Sequence, residues 1–111
     1  PKPFLNWRNK PRKVIMETDF LTPVLDDIRN ERKYQVEKWG NGSDDTRNTP
    51  WMWVAYIASY ATKWMSGKFR VDSNDANAFR EKMIKTAAIA VAAVESLDRQ
   101  RSQTGKAFYE V

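Results

Sequence analysis

"PWMWVAYIASYATKWM", residues 50–65, decides how this chain folds: only Ser59, Thr62 and Lys63 break an otherwise apolar and aromatic run. Thr49-Pro50 in front of it is a helix start, an N-cap residue followed by proline at the one position where a missing N–H is harmless. The run ends near Met65, before Gly67. A helix that is apolar on every face lies at the centre of a core or under another subunit. Two further helices cannot easily wrap it, so the run predicts a helical bundle completed by oligomerisation, most simply a twofold dimer. Its aromatics read as packing before they read as a platform for stacked bases.

Working outward, helices are expected over about 22–39 and 76–101 on either side of it. Thr22-Pro23 repeats the start signal, Asp26 and Asp27 suit the positive end of the helix dipole, and Gly40 is a natural stop. The last helix begins after Ser73 or Asp75, and Ala87, Ala88, Ala90, Ala92 and Ala93 let a neighbour approach closely. The segments between, 40–48 and 66–74, are rich in Gly, Asn, Ser and Asp and read as loops. With no internal repeat and no alternating strand pattern, the fold class is all-α.

On the first helix, Leu25, Ile28, Val36 and Trp39 share one stripe at 100° per residue, and Arg32 and Gln35 fall inside it. Buried charge and amide groups need partners. Two explanations fit: an interhelical ion pair, with Asp98 as an available partner, or a polar pocket that receives a ligand.

Composition narrows the chemistry. The 111 residues make one domain and contain neither Cys nor His. That excludes disulfides, thiolate or imidazole metal sites, and nucleophiles paired with histidine. Any metal would be a hard cation on carboxylates, and any acid or base would be Asp, Glu, Lys or Tyr. Nothing reads as a membrane span or signal peptide, so a soluble, cytoplasmic protein is expected. The net charge of +5 belongs to the start of the chain, where Lys2, Arg8, Lys10, Arg12 and Lys13 precede the first acid, Glu17. Without those five, 14 basic and 14 acidic residues remain. Trp7, Arg8, Lys10, Arg12 and Lys13 are therefore the candidates for a nucleic-acid-binding arm, against the plainer reading of a loose tail.

"ERKYQVEKWG" at 31–40, the acids Asp44 and Asp45, a Trp-led helix and "REKMIKTAAIAVAAVESLDR" at 80–99 together resemble a set of small bacteriophage proteins. Their pattern is roughly ERxRQxxKWG, an acidic loop, a helix and a closing VAAxAxAxxExLDR. Several members are similar to the MazG-like, all-α nucleoside-triphosphate pyrophosphohydrolase superfamily. The likeness spans about residues 24–101. It implies a MazG-like helical domain at 18–103 in a protein of the host-cell cytoplasm, if phage-encoded; the basic, proline-containing arm at 1–17 and a tail at 104–111 flank it and are read from composition and position.

In the enzymatic members of that superfamily an EExxE motif on the second helix, with acidic or amide positions on the third, holds Mg²⁺ for attack between the α- and β-phosphates. Here Ser59, Tyr60 and Lys63 stand where that motif would fall, and Lys82 and Lys85 take the third-helix places. No carboxylate occurs between Pro50 and Met65, so a Mg²⁺ cage on facing helices cannot be assembled. A second phage pattern, GELAxAAxxYA followed by KAGALIxAEIERLDR, fits "VAYIASYA" and "KTAAIAVAAVESLDR" equally well.

The implied reading is a catalytically degenerate scaffold, without metal or other cofactor, that binds a nucleotide or another phosphate-bearing ligand. Its candidate residues are Arg32, Gln35, Lys38, Trp39, Lys63, Lys82 and Lys85, the lysines supplying charge where Mg²⁺ would sit. For Lys82 and Lys85 the alternative is simple solvation. Competing readings are a phage protein that engages a host protein through its oligomeric body, and a nucleic-acid binder acting through the arm. An active Mg²⁺-dependent pyrophosphohydrolase would need a rearranged site built from Glu31, Glu37, Asp44, Asp45 and Glu81. No membrane partner is expected.

Overall fold

The structure is a computed structural model in which residues 19–40, 42, 45–62 and 75–111 are described. Three helices follow in order: α1, Leu21–Trp39; α2, Pro50–Thr62; and α3, Ala76–Thr104. Among the described residues there is no strand, and the all-α expectation holds. The basic arm and the last expected turn of the second helix, 63–65, lie outside the described residues. No helix among those described is long and apolar enough to cross a membrane.

The helix ends follow from side-chain chemistry. α1 starts one residue before Thr22, because the Asp19 carboxylate takes over the capping. It accepts from the N–H groups of Leu21 (2.9 Å) and Thr22 (3.1 Å), and from the Thr22 hydroxyl. Pro23 thus falls in the first turn, where no intrahelical donor is required. α2 starts at Pro50, and the Thr49 carbonyl accepts from Met52 and Trp53. Asp75 caps α3 by accepting from the Ala78 N–H at 3.0 Å. That helix runs three residues past the expected end and stops at Gly105, whose φ of 87° is the left-handed conformation glycine adopts without strain.

α1 and α2 each lie along α3. The Ala-rich face of α3 is the contact face, with Ala88 and Ile89 buried and Ala87, Ala90, Ala92 and Ala93 half-buried. The α1–α3 contact is largely ionic: Arg80 reaches Asp27 at 2.7 Å, Lys85 reaches Glu31 at 3.8 Å, and Arg32 reaches Glu95 at 2.5 Å. The pair positions rise together along both helices, so α1 and α3 run in the same direction.

This arrangement corrects the expected apolar stripe of α1. Leu25 is 47% and Trp39 52% exposed, whereas Gln35, at 6%, is the one buried residue of the helix. The stripe points towards α3, but α3 answers with Glu31 and Arg32 partners rather than with bulky apolar side chains. Likewise Arg32 pairs with Glu95, not with Asp98, because Glu95 stands almost one turn earlier on α3. α2 departs from ordinary burial in the opposite sense. None of its residues is buried, and Trp51, Val54, Ala55 and Ala58, at helical spacing, form an exposed apolar face.

Candidate ligand-binding site

Between α1, residues Gly40, Gly42, Asp45 and Arg47 of the connection after it, α2 and α3 lies a cavity of about 360 Å³, within the size range of small-ligand pockets. Its walls differ in chemistry. α2 contributes Trp53, Tyr56 and Tyr60, spaced i, i+3 and i+7 so that all three face the same way. Trp53 and Tyr56 meet edge to face, their ring centroids 6.3 Å apart. Trp39, at the end of α1, adds a further indole to the lining.

The rest of the lining carries the charge. From α1 come Arg32 and Gln35; from the connection, Gly40, Gly42, Asp45 and Arg47; from α3, Ile89, Ala92, Ser96 and Arg99. Arg32 donates from Nε and one terminal nitrogen to Glu95, and from the other to Gln35 Oε1 at 3.1 Å. Gln35 in turn lies 3.5 Å from Glu31. Asp45, also buried, accepts two bonds from Arg99, at 2.6 and 2.8 Å, and one from the Ser96 hydroxyl at 2.7 Å. The fork of a guanidinium on a carboxylate is a geometrically specific, charge-assisted contact.

These donors hold the Asp45 carboxyl below its ordinary range: the Arg99 hydrogen bond contributes most, burial opposes it, and the Ser96 hydroxyl adds to it. The same pairing raises Arg99 further above its already high value. Gly42 lies over this pair. Its φ is +88°, and a Cβ there would stand 3.5 Å from both Arg99 Nε and Asp45 Oδ2. The position therefore asks for glycine on conformational grounds, with ordinary contact room beside it.

Of the seven expected ligand residues, Arg32, Gln35 and Trp39 are brought together in this cavity. Lys38 is exposed beside it, its ammonium over the rings of Trp39 (5.0 Å) and Tyr34 (5.8 Å). Lys85 sits elsewhere, in a shallow groove with Glu31, Tyr34 and Arg80. It is half-buried and ion-paired there, rather than projecting into solvent. Lys82 is half-buried one turn earlier on α3 and lines neither region. Lys63 lies outside the described residues, as do the arm candidates Trp7, Arg8, Lys10, Arg12 and Lys13.

Sequence reasoning missed Asp45 as a buried counterion, and Ser96, Arg99, Trp53 and Tyr56 altogether. The i, i+3, i+7 spacing of Trp53, Tyr56 and Tyr60 was a usable signal. Arg99 closes the quoted block at 80–99, but nothing in that block marks it as the partner of Asp45. No group of three or more carboxylates converges among the described residues. Glu31, Asp45 and Glu95 are each met by a basic side chain. Asp45, the carboxylate in the cavity wall, acts as the counterion of Arg99.

The fold and site thus define an all-α domain with an aromatic and arginine-bearing cavity between its helices. Compared with protein-family models, curated proteins and solved structures, the chain matches none.

Proposed function

We propose that this cavity binds a phosphate-bearing ligand with a planar ring, a nucleotide being the leading candidate, on a MazG-like scaffold of bacteriophage type that has lost its catalytic metal site. The observation that carries the reading is the composition of one lining. Trp39, Trp53 and Tyr56 bring aromatic rings to the cavity and Arg32, Arg47 and Arg99 bring guanidinium groups, with Arg32 held by Glu95 and Gln35 and Arg99 by Asp45. Stacking on aromatic rings accepts any base, and guanidinium forks suit phosphate oxygens. Buried Gln35 adds an amide able to donate to or accept from a ring edge. The resemblance supports the same reading from another side, since its two sequence blocks supply Arg32, Gln35 and Asp45 on one hand and Ser96 and Arg99 on the other.

The test is a thermal-shift and calorimetric survey of nucleoside mono-, di- and triphosphates, with Mg²⁺ and with EDTA. Stabilisation that persists in EDTA and is lost in Arg32→Ala supports the reading, because a ligand that binds only the folded state raises its stability. Absence of any nucleotide effect overturns it. Stabilisation that requires Mg²⁺, together with release of pyrophosphate, would instead establish the active-enzyme alternative.

A second reading rests on α2. Its exposed face of Trp51, Val54, Ala55 and Ala58 is contiguous along the helix, and Trp51 is 82% exposed. Among the described residues the buried apolar ones are Ala88, Ile89 and Ala107, a small core for three helices. A second copy of the chain covering α2 across a twofold axis would supply the missing burial. The solution mass tests this directly: a 13.0 kDa species at micromolar concentration overturns it.

A further inference from the structure

Beyond Gly105 the chain turns back on α3 as a short hook. Ala107 is fully buried, and the Ala107 carbonyl accepts from the Glu110 N–H at 3.0 Å, closing a tight turn. Glu110 pairs with Arg101 at 2.6 Å. The Phe108 backbone N–H donates to the Gln100 side-chain oxygen, Oε1, at 2.9 Å.

That bond has a direction, and the direction propagates. Gln100 and Ser96 are buried, at 6% and 2% exposure. An amide side chain has one accepting oxygen and one donating nitrogen. With its oxygen committed to Phe108, Gln100 presents its nitrogen to Ser96 Oγ, at 3.1 Å. A hydroxyl has one proton. Because Ser96 Oγ accepts from Gln100, that proton is free to go to Asp45 Oδ1, at 2.7 Å. Asp45 then holds the Arg99 guanidinium in the cavity wall. Removing the Phe108 donor releases Gln100 Oε1, and with it the restraint that holds Nε2 on Ser96 Oγ. Ser96 then loses the donor that fixes its hydroxyl, and its bond to Asp45 is less firmly held.

We propose that the hook at 105–111 is a positioning element for the cavity, with Gln100 and Ser96 relaying the polarity of the Phe108 N–H to Asp45 and Arg99. Its consequence for binding rests on the reading of the cavity as a nucleotide site; the relay itself does not. The plain alternative is that the hook only finishes α3 and has no influence on the wall.

Two variants separate these. Phe108→Pro removes the one N–H, while proline at the second position of the 107–110 turn favours the turn itself. Ending the chain after Lys106 removes the hook entirely. In both, the Asp45 carboxyl followed by NMR should titrate higher than in the unaltered protein. Amide exchange at 45–48 should accelerate roughly fivefold, about what one net hydrogen bond supplies. In Phe108→Pro the Glu110 amide should stay protected, showing that the hook is retained while the wall responds. An unchanged Asp45 titration and unchanged exchange at 45–48 in Phe108→Pro overturn the proposal. ATP in EDTA serves as the binding probe, with an expected loss of roughly five- to tenfold in affinity in Phe108→Pro. If the unaltered protein binds no nucleotide, the ligand reading fails alone, and the NMR and exchange results still decide the relay.

Discussion

The two faces of this small domain invert the usual rule. Along α3, beside the buried Ala88 and Ile89, most of the buried side chains among the described residues are polar: Gln35, Asp45, Asn48, Ser96 and Gln100. On the outward face of α2, the exposed side chains are apolar, with Trp51 and Val54 at 82% and 57% exposure. A polar interior is tolerated only when its groups are paired. That condition is met, since no buried side-chain nitrogen or oxygen among the described residues lacks a hydrogen-bond partner. An apolar exterior stripe on a helix marks a surface meant to be covered. The contrast teaches that the two kinds of side chain are sorted against the usual rule: hydrogen bonds and ion pairs hold the cavity wall, and α2 displays its apolar area outward.

The sharpest way to break this contrast is at Asp45. Asp45→Asn leaves the half-buried Arg99 without its counterion and should destabilise the fold by about 3 kcal/mol in denaturant titrations. The pH dependence carries the same signature. Because the folded Asp45 carboxyl titrates below its unfolded value, its contribution is complete above the unfolded carboxylate range near ~4. It is lost as pH falls through the lower, folded value. Asp45→Asn should remove that acid-limb loss; an unchanged acid limb would show that Asp45 is not the stabilising carboxylate.

The exterior face is tested next. Trp51→Glu places a charge at the most exposed indole of α2 and should weaken self-association by about 2 kcal/mol or more, as central aromatic anchors do. Analytical ultracentrifugation reads the shift to the 13.0 kDa species. Within the protomer the same change should be nearly silent, because Trp51 touches little there. A protein already monomeric before substitution would remove the face from consideration.

How much of this was readable beforehand follows from the same contrast. Local signals carried most helix ends: Thr49-Pro50, Asp75 and Gly40 each act on their own neighbours, whereas Asp19 shifts the start of α1 and Gly105 the end of α3. The uniform apolarity of residues 50–62 points to a core helix or a covered one, and the structure leaves α2 without a fully buried residue, with Trp53, Ile57, Tyr60 and Ala61 half-buried. Arg32 and Gln35 stood out because they interrupt an apolar stripe. Asp45 and Arg99 did not, because their meaning depends on a contact across 54 positions that no local period encodes. Lys82 and Lys85 stand out by their place in the family pattern, and an aligned position without geometry could not foresee that Lys85 would be met by Glu31.

Inside the cavity, the aromatic wall should contribute about 1–2 kcal/mol to binding of a nucleotide base. Tyr56→Ala is the cleaner probe, since Tyr56 is 45% exposed and its loss should disturb packing little. Calorimetry should show affinity reduced about tenfold with the melting temperature of the free protein nearly unchanged. Equal losses in both would mean that the ring packs the fold rather than faces a ligand.

The smallest expected effect bounds the ionic side of the comparison. Arg80 and Asp27 pair at 2.7 Å, yet both side chains are about half exposed, at 52% and 44%. Water screens such a pair, and exposed pairs contribute roughly 0.2–1 kcal/mol. Arg32, at 14% exposure, pairs with Glu95 from a far less hydrated position and also holds buried Gln35. Arg80→Ala should therefore change stability by no more than about 0.5 kcal/mol, and raising salt should erase what remains. Arg32→Ala should exceed it several-fold and resist salt. If the two substitutions prove equal, the ion pairs along α1 and α3 act as one solvated ladder, and the distinction between a structured cavity wall and an ordinary charged surface fails.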